Sequence, residues 1–234
     1  MFFFLNPILI AAAVIPAIAL LVYVYRADRL EKEPRSLLAA LVFQGILSTI
    51  LAVYTERLGT QLLPLVARKG TLLYQLLMNF VVIGLSEEGF KYLLLKRRTW
   101  NAPSFDCQFD GVVYAVFVSL GFALWENIDY VVMYGLSTAL VRAVTAIPGH
   151  ACFGVFMGAW YGLAKAHQKR GHAQYSKICL RLALLFPALL HGLYDFIATV
   201  DETSHAWYFV GFIALLFFAS YKTIQHLSKR DRYI

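Results

Sequence analysis

The sequence predicts an all-α, polytopic transmembrane helical bundle of about seven spans, with the N-terminus outside and the C-terminus inside. Three observations carry this. Of 234 residues, 60% are hydrophobic and 15% charged, whereas a soluble domain runs at about 45–50% apolar and about 25% charged. Seven stretches approach the roughly 20 apolar residues that a membrane-crossing helix needs. The basic residues fall in short blocks between those stretches, concentrated on alternate loops. The mean hydropathy of +0.63 excludes a disordered chain and argues against a soluble globule.

The stretches cover 3–25, 36–55, 71–95, 111–134, 138–164, 178–200 and 206–227. The first has no Lys or Arg before it and is too long for a secretory signal core, so it is expected to remain as an anchor. Region 56–70 contains Pro64 and is expected to form a loop or a short interfacial helix. With the N-terminus outside, the inner segments hold 16 of the 21 basic residues, among them Arg26, Arg29, Lys32, Arg35, Lys96, Arg97 and Arg98. The outer loops hold only Arg57, Arg68 and Lys69, and the loop at 201–205 carries Asp201 and Glu202. Every loop obeys the positive-inside rule. The net charge of +7 is therefore read as loop charge, and nucleic acid is not an expected partner. Cys107, Cys152 and Cys179 have no pairing or CxxC spacing, which leaves no disulfide framework and no thiolate metal site. Gly154, Gly158 and Gly162, spaced by four, mark a helix-packing face.

Against this apolar background, Glu87, Glu88, Glu126, Asp129 and Asp195 lie inside the stretches, as do His150 and His191. A charged group at membrane depth costs at least about 2.5–3.5 kcal/mol, so such groups face the bundle interior and mark a functional site. At 1.5 Å per residue, Glu126, His150 and His191 lie roughly 20 Å from the cytoplasmic helix ends and Glu87 about 12 Å. Four helices thus place polar groups in overlapping slabs, which points to one shared intramembrane site. Asp129 is nearer the outer end and is expected to reach the interface.

Local spacing refines this. Glu87 and Lys91 stand at i,i+4, the order that favours a pair on one helix face, leaving Glu88 to point elsewhere. His191 and Asp195 are also at i,i+4, so the carboxylate is placed to orient the imidazole. Pro148 and Gly149 precede His150, and a proline-broken backbone at membrane depth is tolerated where it lines a wet cavity. Asn127 is either an oxyanion donor or a bond between helices.

Two carboxylates, two histidines and an amide suit water activation. A glutamate acting as general base, with histidines stabilising an oxyanion, would hydrolyse an amide bond. The same residue types would alternatively hold Zn²⁺ with an open position for water, although no HExxH motif is present. No serine or cysteine stands as a nucleophile, since Cys152 is turned to a different helix face from His150. Buried Glu, His and Lys also suit a proton- or ion-coupled transporter. Against that stand the lack of an internal repeat and of matched broken helices. A scaffold with structural polar groups is a third reading.

Four ordered segments carry a resemblance. They are Glu87-Glu88-Gly89-Phe90-Lys91; Phe122 to Glu126-Asn127, on a helix opened by Asp110-Gly111; Pro148-Gly149-His150; and His191 to Asp195. Together, each on its own helix, they resemble the PrsW family of intramembrane proteases, related to the CAAX-protease and bacteriocin-processing superfamily. The resemblance implies a single transmembrane protease domain over 1–234 with its motif-bearing core at about 85–196. It implies an intramembrane endopeptidase, of metallo- or glutamic type, in a bacterial cell (inner) membrane. Its substrate would be a single-pass membrane protein, an anti-sigma factor in some members. By the same resemblance Glu87 or Glu88 activates water and Glu126, His150 and His191 complete the site, with Lys91, Asn127 and Asp195 in support. In the metallo version Glu126, His150 and His191 are the candidate ligands of Zn²⁺.

Overall fold

The computed structural model describes residues 7–199 and 206–234. The described residues form α1 (Pro7–Ala27), α2 (Arg35–Leu62), α3 (Leu72–Leu76), α4 (Ser86–Thr99), α5 (Asp110–Tyr134), α6 (Leu136–Val144), α7 (Ala146–Lys169), α8 (Ala173–Thr199) and α9 (Ala206–Lys229). A 3₁₀ turn, Leu63–Leu65, closes α2. A π-helical segment, Leu77–Leu85, joins α3 to α4 in one continuous run. Among the described residues six helices are long and apolar enough to cross a membrane. The composite run from Leu72 to Thr99 makes up the seventh stretch. The molecule is a polytopic helical bundle, as its composition requires.

α5 is the central helix. Every residue from Asp110 to Ala123 is buried, and α7, α2 and α1 pack around it. The glycine stripe explains how closely α7 approaches. A Cβ on Gly158 would fall 2.4 Å from the Gly111 carbonyl oxygen, and one on Gly162 would fall 2.1 Å from that of Gln108. The two backbones touch, which only small residues allow. A second close approach brings α8 to the π-helical segment. A Cβ on Gly84 would lie 2.8 Å from the Ala188 carbonyl oxygen, and one on Gly192 would lie 2.8 Å from Phe80 Cα.

Two boundaries differ from the sequence expectation. α2 does not stop at residue 55 but runs on to Leu62, so Glu56 lies on a helix and Pro64 sits in the 3₁₀ turn that ends it. Thr55 and Thr60 hydroxyls donate back to carbonyls one turn earlier, so these polar side chains do not break the ladder. The expected break at Pro148-Gly149 lies instead at Thr145, where φ is −120° and ψ is −74°. Pro148 falls in the first turn of α7, where a missing N–H leaves no hydrogen bond unmade. The loop with Asp201 and Glu202, and the first four residues of the 3–25 stretch, lie outside the described residues.

Candidate active site

The π-helical segment ends at Leu85, two residues before Glu87. Such segments widen the helix and recur at functional sites. Glu87, Glu88 and Lys91 open α4 and are all buried, with Lys91 and Glu88 fully so. The Lys91 ammonium reaches Glu88 Oε1 at 2.7 Å, Glu87 Oε2 at 3.2 Å and His150 Nδ1 at 3.2 Å. It also lies 3.8 Å from the centre of the Phe122 ring. Contrary to the expectation that Glu88 points elsewhere, both carboxylates share one lysine. The cause is reach: i,i+3 and i,i+4 both face Lys91 across one helical turn.

An ammonium has no acceptor, so Lys91 donates to His150 Nδ1 and the ring proton of His150 is on Nε2. That nitrogen donates to Glu126 Oε2 at 3.0 Å. Glu126 also accepts from Arg142 at 2.6 Å. Arg142 Nε donates to Asn127 Oδ1 at 3.0 Å, and Asn127 donates to the Ala13 carbonyl at 2.9 Å. Both polar atoms of Asn127 are thus engaged in tying α5 to α6 and α1, the bond between helices that was one of its two readings. His191 Nδ1 faces Glu88 Oε1 at 3.1 Å, and its Nε2 lies 3.4 Å from Asp195 Oδ2. Phe153 stacks on the His191 ring at 4.7 Å and restrains it. Asp129 is exposed and stands apart.

A cavity of about 230 Å³ opens onto this network. Its wall includes Glu87, Glu126, His150, His191 and Asp195, together with Glu56 and Arg142, but not Glu88. Glu56 and Arg142 had no assigned role in the sequence. The signal for Arg142 was its solitary charge within the 138–164 stretch. Glu56 gave none, because it lies just beyond an apolar stretch that turned out to be longer. Around the cavity, Glu56, Glu87, Glu88, Glu126 and Asp195 face two permanent cations, Lys91 and Arg142. Glu56 Oε1, Glu88 Oε2 and Asp195 Oδ2 are buried without a hydrogen bond. A surplus of buried carboxylate calls for a proton or a cation.

The donor set fits a metal. One ligand atom from each of Glu87, Glu88, His150 and His191 lies within 4.8 Å of the others. Imidazole nitrogen and carboxylate oxygen are ordinary ligands of zinc. This grouping differs from the expected one, which put Glu126 with the two histidines. Glu126 lies on the far nitrogen of His150, held there by Arg142, and is not part of the cluster.

Acids and imidazoles converging from four helices on a polar cavity are the equipment of a hydrolase working at membrane depth. Comparison with known proteins agrees. Residues 33–221 match the model of the PrsW family, described as a PrsW family intramembrane metalloprotease. The chain is 36% identical over 191 residues to Protease PrsW of Oceanobacillus iheyensis, covering 81% of this chain and 82% of that one. It is 31% identical over 208 residues to Protease PrsW of Bacillus subtilis, covering 89% and 90%. With Protease PrsW of Geobacillus kaustophilus it shares 32% over 219 residues, covering 93% and 91%. No solved structure matches the chain. The chain belongs to the PrsW family of intramembrane metalloproteases. It is a multi-pass membrane hydrolase that acts on membrane-anchored proteins, and its class implies a metal.

Proposed function

We propose that this protease cuts a single-pass membrane protein, as the first cut of an anti-sigma factor, in a bacterial cell membrane. Residues 1–234 form a single protease domain with the chemistry in 85–196. The bundle is oriented N-terminus out and C-terminus in, with the basic loops in the cytoplasm. The observation that supports the catalytic assignment is the meeting of Glu87, Glu88, His150 and His191 beside the cavity.

The residues divide the work by position. Glu87 is on the cavity wall, where it takes a proton from the attacking water as general base. Glu88 lies behind the wall and, with His150 and His191, would hold Zn²⁺. When bound there, the zinc ion supplies Lewis acidity, polarising the scissile carbonyl and acidifying water. Glu126 accepts the Nε2 proton of His150 and fixes that ring's tautomer and orientation, so Glu126 is a positioning residue. Asp195, one turn away with Oδ2 3.4 Å from His191 Nε2, sets the charge beside that ring and is a positioning residue for His191. Lys91 offsets one of the two charges of the glutamate pair. Arg142 secures Glu126, and Asn127 holds Arg142.

The test is cleavage of a single-pass reporter substrate by Glu87→Ala and Glu88→Ala variants that insert and purify like the parent. Each is expected to lose at least about 100-fold, the usual scale for a general base. Parental cleavage by the double variant would refute the assignment. Membrane proteomics of cells with and without the active enzyme identifies the substrate; if only multi-pass or soluble proteins change, the substrate class is wrong.

A further inference from the structure

One carboxylate on the cavity wall, Glu56, takes no part in activating water or in holding a metal. It stands 21 positions after Arg35 on α2, about 30 Å along the helix at 1.5 Å per residue. In the orientation proposed above, that is the outer end of α2. Packing turns this stretch towards the cavity. Glu56 and Gly59 stand at i,i+3 and share one side of α2. On that side Gly59 lies so close to the π-helical segment that a Cβ there would fall 2.6 Å from Val82 Cγ1.

Glu56 has no partner. Among the described residues its carboxylate forms no hydrogen bond and no ion pair, and its Oε1 is buried. The charged groups that act on it across the cavity are Glu126, His191, Lys91 and Asp195. Two of these are acids, and the others are engaged elsewhere. Lys91 is shared among Glu87, Glu88 and His150. His191 sits between Glu88 and Asp195. Arg142, the other permanent cation of the cavity, is held by Glu126 and Asn127, with its guanidinium 4.0 Å from the centre of the Tyr130 ring. Asn79 and Thr199, also on the wall, are uncharged and bond each other at 3.5 Å. No described side chain is left to neutralise Glu56.

The cavity also reaches the outer face. Its wall includes Ala146, which opens α7, and Thr199, which closes α8. Both are outer helix ends in the same orientation. An unpaired carboxylate in a partly buried place is costly unless a cation comes to it. In a cavity that receives a polypeptide, the polypeptide can bring that cation.

We propose that Glu56 is a specificity-determining residue: it receives the ammonium or guanidinium of a basic substrate side chain near the scissile bond, on the outer side of the substrate's membrane span. The inference rests on the protease reading above and deepens it. A lysine or arginine donates charge-assisted hydrogen bonds to such a carboxylate. An acidic side chain in the same place is repelled, so the residue both attracts and rejects. The choice is informative because the outer flanks of membrane spans are poor in Lys and Arg. A carboxylate waiting there selects the minority of single-pass proteins that carry a basic residue on that side.

The test uses the full chain in nanodiscs and a set of single-pass reporters. These differ only by Lys, Gln or Glu at one of the three positions on either side of the cut, and kcat/KM is measured for each. At one or more positions Lys should be cleaved at least about tenfold faster than Gln, the scale of one hydrogen bond to a charged group, and Glu more slowly than Gln. Glu56→Gln should bring the Lys-to-Gln ratio close to one. Glu56→Arg should reverse the order, making the Glu reporter the best. Each readout is a ratio within one enzyme, so a general loss of activity in a variant does not imitate it. If neither variant accumulates, the parent's ranking of the reporters decides alone. Equal cleavage of Lys, Gln and Glu reporters by the parent overturns the proposal, as does a Lys preference that survives Glu56→Gln. Failure of the parent to cleave any reporter is a different result: it removes the single-pass substrate reading, and this inference with it.

Discussion

Lys91 sits among Glu87, Glu88 and His150 with no exposure at all. It takes the same meeting point a metal would use, so ammonium and ion offset the same buried charge. Removing one partner of a buried pair costs about 3–5 kcal/mol. Lys91→Met should therefore lower the Tm of chelator-stripped protein strongly, and zinc should recover most of that loss. A Tm that zinc does not move would show that the ion binds elsewhere. The two glutamates are expected to separate in a different way. Glu87→Gln should abolish cleavage while the protein still retains zinc, because Glu87 faces the cavity. Glu88→Gln should lose zinc along with activity. Metal content by mass spectrometry beside reporter cleavage checks both, and equal zinc loss in the two variants would contradict the division of roles.

At the scale of elements, glycines place the site. The contact of Gly158 with the backbone of Gly111 sets α7 against α5, and with it His150 near Glu126. Gly84 and Gly192 bring α8 onto the π-helical segment, which delivers His191 to Glu88. Forcing atoms into a packed contact costs about 1–3 kcal/mol, more when the neighbour is backbone. Gly158→Val should reduce thermal stability by at least this much. Gly84→Ala, with its methyl 2.8 Å from the Ala188 carbonyl, should cut cleavage more than it cuts abundance, because it moves α8 and its histidine. Abundance and reporter cleavage measured together distinguish the two outcomes.

For the whole molecule, the apolar exterior and the basic loops fix how the bundle sits. A reporter fused after Arg98 should report the cytoplasm; an external signal there would invert the orientation and the expected side of substrate entry. Chelation should abolish cleavage and added zinc should restore it. Cleavage at parental rate by protein shown to be free of metal would favour the glutamic form of the chemistry.

The sequence by itself determined the class of molecule, because hydrophobic length and charged-loop spacing are local properties that a bilayer reads one helix at a time. It also marked Glu87, Glu88, Glu126, His150 and His191 as candidates, since an ionisable group in an apolar run is conspicuous without any neighbour. Tertiary structure decided which of them meet. That Glu126 belongs with Arg142 and the outer nitrogen of His150, that Glu88 shares Lys91 with Glu87, and that Glu56 reaches the cavity all depend on helix rotation and closeness of approach. Those are set by which backbones touch at glycine, by a π-helical segment that shifts the register ahead of Glu87, and by a break at Thr145. None of these leaves a distinct mark in a hydropathy pattern.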